Sequence, residues 1–248
     1  MMQKAGLRLG ATLWLLGMTG FVVLALTVLP QLAAQSPRKI PFAVLVVVSG
    51  IQSGVLLLLA VWAGVTLSRQ LGLGAPVLEA ALARSAWRPA LRRQLLPAAA
   101  VGLIVGAMLL AAERIAPAQL AAAGHSVEIG LLAKLLYGGV TEEVLLRWGL
   151  MSTLLWLAWR VLQQRTGPPR TVFTVGAIVV AAVLFGVGHL PAAVAMGVTL
   201  TAPLVSFIII GNAVPGILFG CLYWRKGIEA AIMAHACAHL VSVLAHAL

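Results

Sequence analysis

The segment Gly138-Gly-Val-Thr-Glu-Glu-Val-Leu-Leu-Arg147 places two adjacent carboxylates, Glu142 and Glu143, in a chain that is poor in acid. The 248 residues contain six acidic side chains, and none of them is Asp. Mostly apolar runs, residues 131–137 and 144–157, flank the pair. An ionisable group at membrane depth costs ~2.5–3.5 kcal/mol on insertion scales and is usually kept for a function. If lipid surrounds these helices, the two glutamates are the first candidates for a functional site.

The composition of the whole chain indicates a lipid environment. Hydrophobic residues make up 62% of the sequence, charged residues 9%, and the mean hydropathy is +1.06. A soluble domain of this size could not carry so much apolar surface. Apolar runs of about 20 residues recur along the chain and match the ~30 Å hydrocarbon core at 1.5 Å per helical residue. The sequence predicts an all-α, polytopic membrane helix bundle with seven or eight transmembrane helices, forming one integral membrane domain over residues 1–248.

The net charge of +11 does not indicate nucleic-acid binding, because the basic residues cluster at the ends of apolar runs. This is the positive-inside pattern, with lipid phosphates as counter-ions. It predicts a cytoplasmic N-terminus and a basic cytoplasmic elbow within residues 1–125, while Arg38 and Lys39 place a small charge on the outer side. An uncleaved first helix is favoured over a signal peptide, because its apolar run is longer than a signal h-region. Compact loops and the lack of an organelle presequence favour a bacterial inner membrane.

The run around the glutamates, residues 127–162, is helical in pattern but about 54 Å long as one α-helix at 1.5 Å per residue. This is nearly two membrane thicknesses. A pair of glycines precedes the glutamates, and glycine is the residue that most often interrupts a helix. The sequence therefore predicts a break at Gly138-Gly139.

Several other polar groups lie where apolar residues are expected. Glu143 and Arg147 have the i,i+4 spacing and order of a helix ion pair. Glu142 lies about 100° further round the helix and is left as a free carboxylate. His189 ends an apolar run. His235 and His239, at i,i+4, share one face of the last helix.

Two kinds of chemistry fit a carboxylate with several imidazoles. The carboxylate can take a proton from water while the imidazoles orient that water or stabilise an oxyanion. Alternatively, neutral imidazoles with a carboxylate can bind Zn²⁺, which acidifies a bound water. Either arrangement could hydrolyse an amide. The sequence contains no Gly-x-Ser-x-Gly elbow, Walker loop or His-Glu-x-x-His helix.

The ordered motifs resemble those of the CPBP (CAAX-protease and bacteriocin-processing, or ABI) family of intramembrane proteases. Its pattern of Glu-Glu-x-x-x-Arg, Phe-x-x-x-His and His-x-x-x-Asn/Asp corresponds here to Glu142-Glu143-x-x-x-Arg147, Phe185-x-x-x-His189 and His235-x-x-x-His239. The resemblance covers the C-terminal half, so residues 126–248 are expected to form the catalytic core.

The resemblance implies a role for each of these residues. Glu142 would activate the attacking water with help from His189, and His235 would stabilise the oxyanion. Glu143 and Arg147 would shape the site. One departure is the last position of the third motif, where His239 replaces the usual Asn or Asp. Its imidazole can still donate one hydrogen bond. A metal-free glutamate mechanism is favoured; in the metalloprotease alternative, Zn²⁺ would be held by His189, His235 and His239.

These observations favour an intramembrane endopeptidase that cleaves a membrane-anchored peptide or protein. Nothing in the sequence assigns prenylated substrates. One alternative is a non-catalytic membrane immunity or scaffold protein that keeps the polar cluster for binding. A proton-coupled transporter that uses the Glu and His residues as a relay is another, although no inverted repeat is visible.

Overall fold

The computed structural model describes residues 2–35 and 41–247, and every regular element in those ranges is helical. The first half contains α1 (Met2–Thr27), α2 (Leu29–Gln35), α3 (Phe42–Leu67) with a 3₁₀ turn at Ser68–Leu71, α4 (Pro76–Leu82), α5 (Arg88–Arg114) and α6 (Ala118–Ser126). The second half contains α7 (Leu131–Ala133), two π-helical segments (Lys134–Glu142 and Val144–Met151), α8 (Ser152–Val161), α9 (Thr171–Gly188), α10 (Leu190–Ala195), α11 (Ala202–Lys226) and α12 (Ile228–Ala247). The elements from α7 to α8 run on as one helix over residues 131–161, named here the glutamate helix.

Six helical stretches within the described ranges are long and apolar enough to cross a membrane: Lys4–Thr27, Phe42–Leu71, Arg88–Arg114, Thr171–Ala195, Ala202–Lys226 and Ile228–His246. Their outward faces carry large exposed apolar side chains, including Leu26, Trp62 and Leu96. Exposed apolar surface on this scale is stable only against lipid. The protein is therefore an all-helical integral membrane protein. The predicted count of seven or eight spans is not confirmed.

The predicted break at Gly138-Gly139 is wrong, because the backbone stays helical through both glycines. It widens instead into π-helical turns from Lys134 to Met151, interrupted only at Glu143. Such turns are rare and often mark functional sites. The glycines serve close packing: a Cβ placed on Gly139 would lie only 3.2 Å from Cβ of Ala236 in α12. Small residues at helix contacts let membrane helices approach in this way.

Packing fixes the glutamate helix among its neighbours. The hydroxyl of Thr141 donates to the carbonyl of Gly17 in α1 at 2.7 Å. The indole of Trp148, fully buried, packs against the bare face of Gly64 in α3. Near the far end, the hydroxyls of Ser152 and Tyr223 are hydrogen-bonded at 2.9 Å, which joins the helix to α11. The glutamates are thus carried on an element held from several sides.

Hydrogen bonds tie the helix ends together on one side of the bundle. The carboxylate of Glu229, in the first turn of α12, accepts from the backbone N–H groups of Val77 and Leu78 in α4 at 3.0 and 2.9 Å. The side chain of Gln94 in α5 donates to the carbonyl of Lys226 at 3.1 Å. These bonds place the ends of α4, α5, α11 and α12 at the same level of the bundle.

Candidate active site

The two adjacent glutamates have different surroundings. Glu143 is fully buried, and its Oε1 lies 2.8 Å from Nη1 of Arg147 and 2.8 Å from Nδ1 of His235. The predicted i,i+4 pair of Glu143 and Arg147 is confirmed. The second partner of Glu143, His235, comes from α12 and lies 92 residues after Glu143 in the chain. One carboxylate oxygen therefore joins the first and third motifs.

Arg147 extends the same cluster to two more helices. It is 2% exposed, and its Nη2 donates to the carbonyl of Gly216 in α11 at 3.1 Å. The guanidinium carbon also lies 5.1 Å from the ring centroid of Phe185 in α9 and 5.5 Å from that of Phe219 in α11. Buried cation–π contacts of this kind are attractive. The arginine therefore neutralises Glu143 and packs against Phe185 and Phe219, the two aromatic rings next to the histidines.

The environment of His235 fixes which of its two ring nitrogens carries the proton. A carboxylate can only accept hydrogen bonds, so Nδ1, bonded to Glu143, carries the proton. In the neutral ring, Nε2 then presents a lone pair. The ring stacks between Phe219, at 4.6 Å and 20°, and His239, at 4.9 Å and 27°. This sandwich holds the imidazole in one orientation.

His189 is oriented in a similar way by its own helix. It follows the last residue of α9, and its Nδ1 lies 2.9 Å from the carbonyl of Phe185 one turn earlier. A carbonyl accepts hydrogen bonds, so Nδ1 donates and Nε2 is left as an acceptor. The ring packs edge-on against Phe185 at 4.6 Å. The Phe-x-x-x-His spacing thus supplies both the hydrogen bond and the packing that set this ring.

Glu142 lines a cavity of about 410 Å³. The same wall includes three of the predicted histidines, His189, His235 and His239. Glu142 is partly exposed and makes no hydrogen bond with any residue in the described ranges, as expected for the free carboxylate. Four of the six predicted site residues therefore share one cavity, and the ion pair of Glu143 and Arg147 lies behind them.

Three further polar residues line this cavity and were not singled out from the sequence: Lys134, Tyr137 and Asn212. The side-chain amide of Asn212 donates to the carbonyl of Ile208 at 2.8 Å. Its position within the apolar run of α11 could have marked it, because polar groups inside membrane helices are costly. Lys134 and Tyr137 precede the first motif on the glutamate helix, and only the fold shows that they reach the same space.

A metal ion needs several donor side chains directed at one point. No group of three or more His, Cys, Asp or Glu side chains within residues 2–35 and 41–247 is placed to hold one. The stacked rings of His235 and His239 are nearly parallel, and parallel rings do not direct their nitrogens toward a single point between them. The alternative in which His189, His235 and His239 bind Zn²⁺ stays a prediction.

Residues 124–241 match the family of Rce1-like proteins, described as type II CAAX prenyl endopeptidase Rce1-like. The matched segment contains all three motifs. Over this segment, somewhat less than half of the chain, the sequence matches the CAAX protease (CPBP) family. The family points to a CAAX-protease type of membrane endopeptidase. Searches of curated proteins and of solved structures found no match to the chain.

Gly138 is the position of the glutamate helix that leaves room for two histidines. A Cβ on Gly138 would lie 2.8 Å from Nε2 of His239 and 3.7 Å from Nε2 of His235. We expect Gly138→Ala to displace these rings and to lower peptide cleavage by about 100-fold, the usual cost of misplacing a catalytic group by about 1 Å. The measurement is the cleavage rate of purified variants.

Gly176→Ala is the matched control for this prediction. Gly176 is also helical, in α9, but nothing lies within 4 Å of its added Cβ. This control should keep wild-type activity. Equal activity of Gly138→Ala and Gly176→Ala would contradict the crowding argument.

Proposed function

We propose that this protein is an intramembrane endopeptidase that hydrolyses a peptide bond of a membrane-associated protein or peptide, with Glu142 as the general base. The observation that supports this assignment most is the difference between the surroundings of the two glutamates. Glu143 is bound to Arg147 and His235, whereas Glu142 faces the shared cavity with no hydrogen bond from the described residues. A base must be free to accept a proton beside the reacting atoms.

The first step is attack by water on the scissile carbonyl carbon. Glu142 accepts one proton from the water, and Nε2 of His189 accepts a hydrogen bond from the other hydrogen. The hydrogen bond between His189 and Phe185 supports this role, because it leaves Nε2 as the acceptor. The new carbon–oxygen bond forms as the carbonyl electron pair moves onto oxygen.

The resulting oxyanion needs a hydrogen-bond donor. His235 can donate from Nε2 when its ring is already protonated as the substrate binds; it keeps that proton through the cycle, and Glu143, on Nδ1, balances the charge of the imidazolium. Preorganised donors of this kind contribute about 2.7–4 kcal/mol to transition-state stabilisation. The tetrahedral intermediate collapses as Glu142 returns its proton to the departing amine nitrogen, which breaks the carbon–nitrogen bond and restores the carboxylate.

His239 is proposed to assist the same oxyanion in place of the Asn or Asp usual in the family. Its ring stacks on His235, and a Cβ on Gly138 would be close to Nε2 of both rings. The two Nε2 atoms therefore lie on the same side of the glutamate helix. An imidazole N–H can replace the side-chain amide N–H as the hydrogen-bond donor.

The glutamate helix is proposed as a seventh membrane span. It packs against α1 and α3 on one side and α12 on another, so it lies among helices that cross the membrane. We also assign residues 126–248 to the catalytic core of a single membrane domain, with residues 1–125 bracing the glutamate helix. A bacterial inner membrane is the proposed location.

The metal-free mechanism is tested on detergent-purified protein with a library of membrane-anchored peptides. We expect cleavage without stoichiometric bound metal and with no loss after treatment with a strong chelator. The reason is that Glu142, rather than a metal ion, activates the water. Chelator-sensitive cleavage that is restored by adding Zn²⁺ would contradict this mechanism and make the histidines metal ligands.

A further inference from the structure

The charges of this protein are distributed very unequally between the two ends of the bundle. The end formed by the starts of α1, α4, α5, α9 and α12 and the ends of α3, α8 and α11 is named here the basic end. Contacts across it include the hydrogen bond from Arg165 to Gln70 and that from Ile228 N–H to the Gly74 carbonyl. Of the 17 Lys and Arg residues, twelve lie here: Lys4, Arg8, Arg69, Arg84, Arg88, Arg92, Arg93, Arg160, Arg165, Arg170, Arg225 and Lys226.

The opposite end, named the distal end, carries few cations. It is held together by the paired hydrogen bonds of Gln31 with the backbone of Glu128 and by the contact of Nε2 of His246 with the carboxylate of Glu113 at 3.0 Å. Its Lys and Arg residues in the described ranges are Arg114 and Lys134. Arg38 and Lys39, which the sequence predicts on the outer side, lie outside those ranges. Membrane proteins retain their Lys and Arg excess in the cytoplasm, so the basic end is the cytoplasmic one.

The cavity with Glu142 extends to the distal end. His189 lies 18 residues after Thr171, about 27 Å along α9 from the basic end at 1.5 Å per residue. The wall also includes Leu32 of α2, Ile129 of the loop before α7, Ala192 of α10 and Met196 directly after α10, all distal. Ile129 and Ala192 are exposed. None of the twelve basic residues lines this cavity.

We propose that the catalytic cavity receives its substrate from the non-cytoplasmic side of the membrane. The substrate class is a membrane-anchored polypeptide whose cleaved segment has been exported or lies just outside the membrane, with apolar residues that fit the cavity wall. A cytoplasmic tail would have to cross most of the bundle to reach Glu142. The choice of substrate rests on the proposed peptidase function, whereas the orientation of the cavity rests on charge and geometry alone.

Cysteine labelling in bacterial cells tests the orientation without any substrate. The background is the Cys221→Ala, Cys237→Ala protein, since those are the two cysteines of the chain. Ile129→Cys and Ala192→Cys report on the cavity side, and Ala86→Cys, exposed between α4 and α5, reports on the basic end. A membrane-impermeant maleimide should label the first two in intact cells and Ala86→Cys only after permeabilisation. The reverse pattern would overturn the proposal.

Two single-span reporter proteins then test the substrate side. Both carry the same cleavable segment, placed outside the membrane in one reporter and in the cytoplasm in the other. Cleavage of the outer reporter alone supports the proposal, and cleavage of the cytoplasmic reporter alone overturns it. If neither reporter is cleaved while the labelling is as expected, the proposed peptidase function fails and the orientation stands.

Discussion

Glu142→Gln is expected to lower peptide cleavage by about 10²–10⁴-fold, the range that general acid–base catalysis usually contributes. The substitution keeps the shape of the side chain but removes its negative charge and its ability to take a proton. Glu142 makes no hydrogen bond with the described residues, so no structural contact is lost. The variant should therefore fold and accumulate in the membrane like the wild type, and the loss should appear in the turnover rate.

Glu79→Gln is the matched control, because it makes the same chemical change on α4, remote from the cavity. It should cleave at the wild-type rate. A Glu142→Gln protein with wild-type turnover would contradict the assignment of the base. Equal loss in both variants would indicate a general effect of removing acid from this chain.

Arg147→Met is expected to destabilise the protein by about 3–5 kcal/mol, the cost of breaking a buried ion pair from one side. The substitution leaves Glu143 fully buried without its arginine, and it removes the hydrogen bond to Gly216 and the contacts with Phe185 and Phe219. Reversible unfolding in mixed micelles measures the change in the free energy of unfolding.

Two further variants show whether the effect comes from the uncompensated charge. Arg93→Met removes an exposed arginine at the start of α5 and should change stability by less than about 0.5 kcal/mol, as is usual at exposed sites. Glu143→Gln with Arg147→Met removes both charges and should cost less than the sum of the single changes, by about 0.5–3 kcal/mol. Strict additivity would contradict the coupling of the two residues.

Features set by local helix geometry could be predicted from the sequence. The i,i+4 spacing determined the pair of Glu143 and Arg147, and the angle between adjacent residues left Glu142 free. The composition of the chain was sufficient to predict a helical membrane protein. The family motifs identified the histidines that line the cavity, because each motif carries its own packing, as in the hydrogen bond of His189 to Phe185.

Features that depend on packing between distant segments could not be predicted. The bond between His235 and Glu143 joins residues 92 positions apart, and helix periodicity does not report on it. The glycines before Glu142 were expected to break the helix, but they lie where α12 approaches too closely for a side chain. Asn212 and Lys134 are ordinary polar residues in sequence and reach the cavity only through the arrangement of α11 and the glutamate helix.

Hydrolysis in H₂¹⁸O is the measurement that tests the proposed reaction most directly. Purified protein is incubated with the membrane-anchored peptide library, and products are identified by mass spectrometry beside those of Glu142→Gln. We predict a discrete cleavage site whose new carboxyl group carries one ¹⁸O atom, formed by the wild type and nearly absent with the variant. A library left intact by folded protein would contradict the proposed peptidase and favour a non-catalytic membrane protein that uses the cavity for binding.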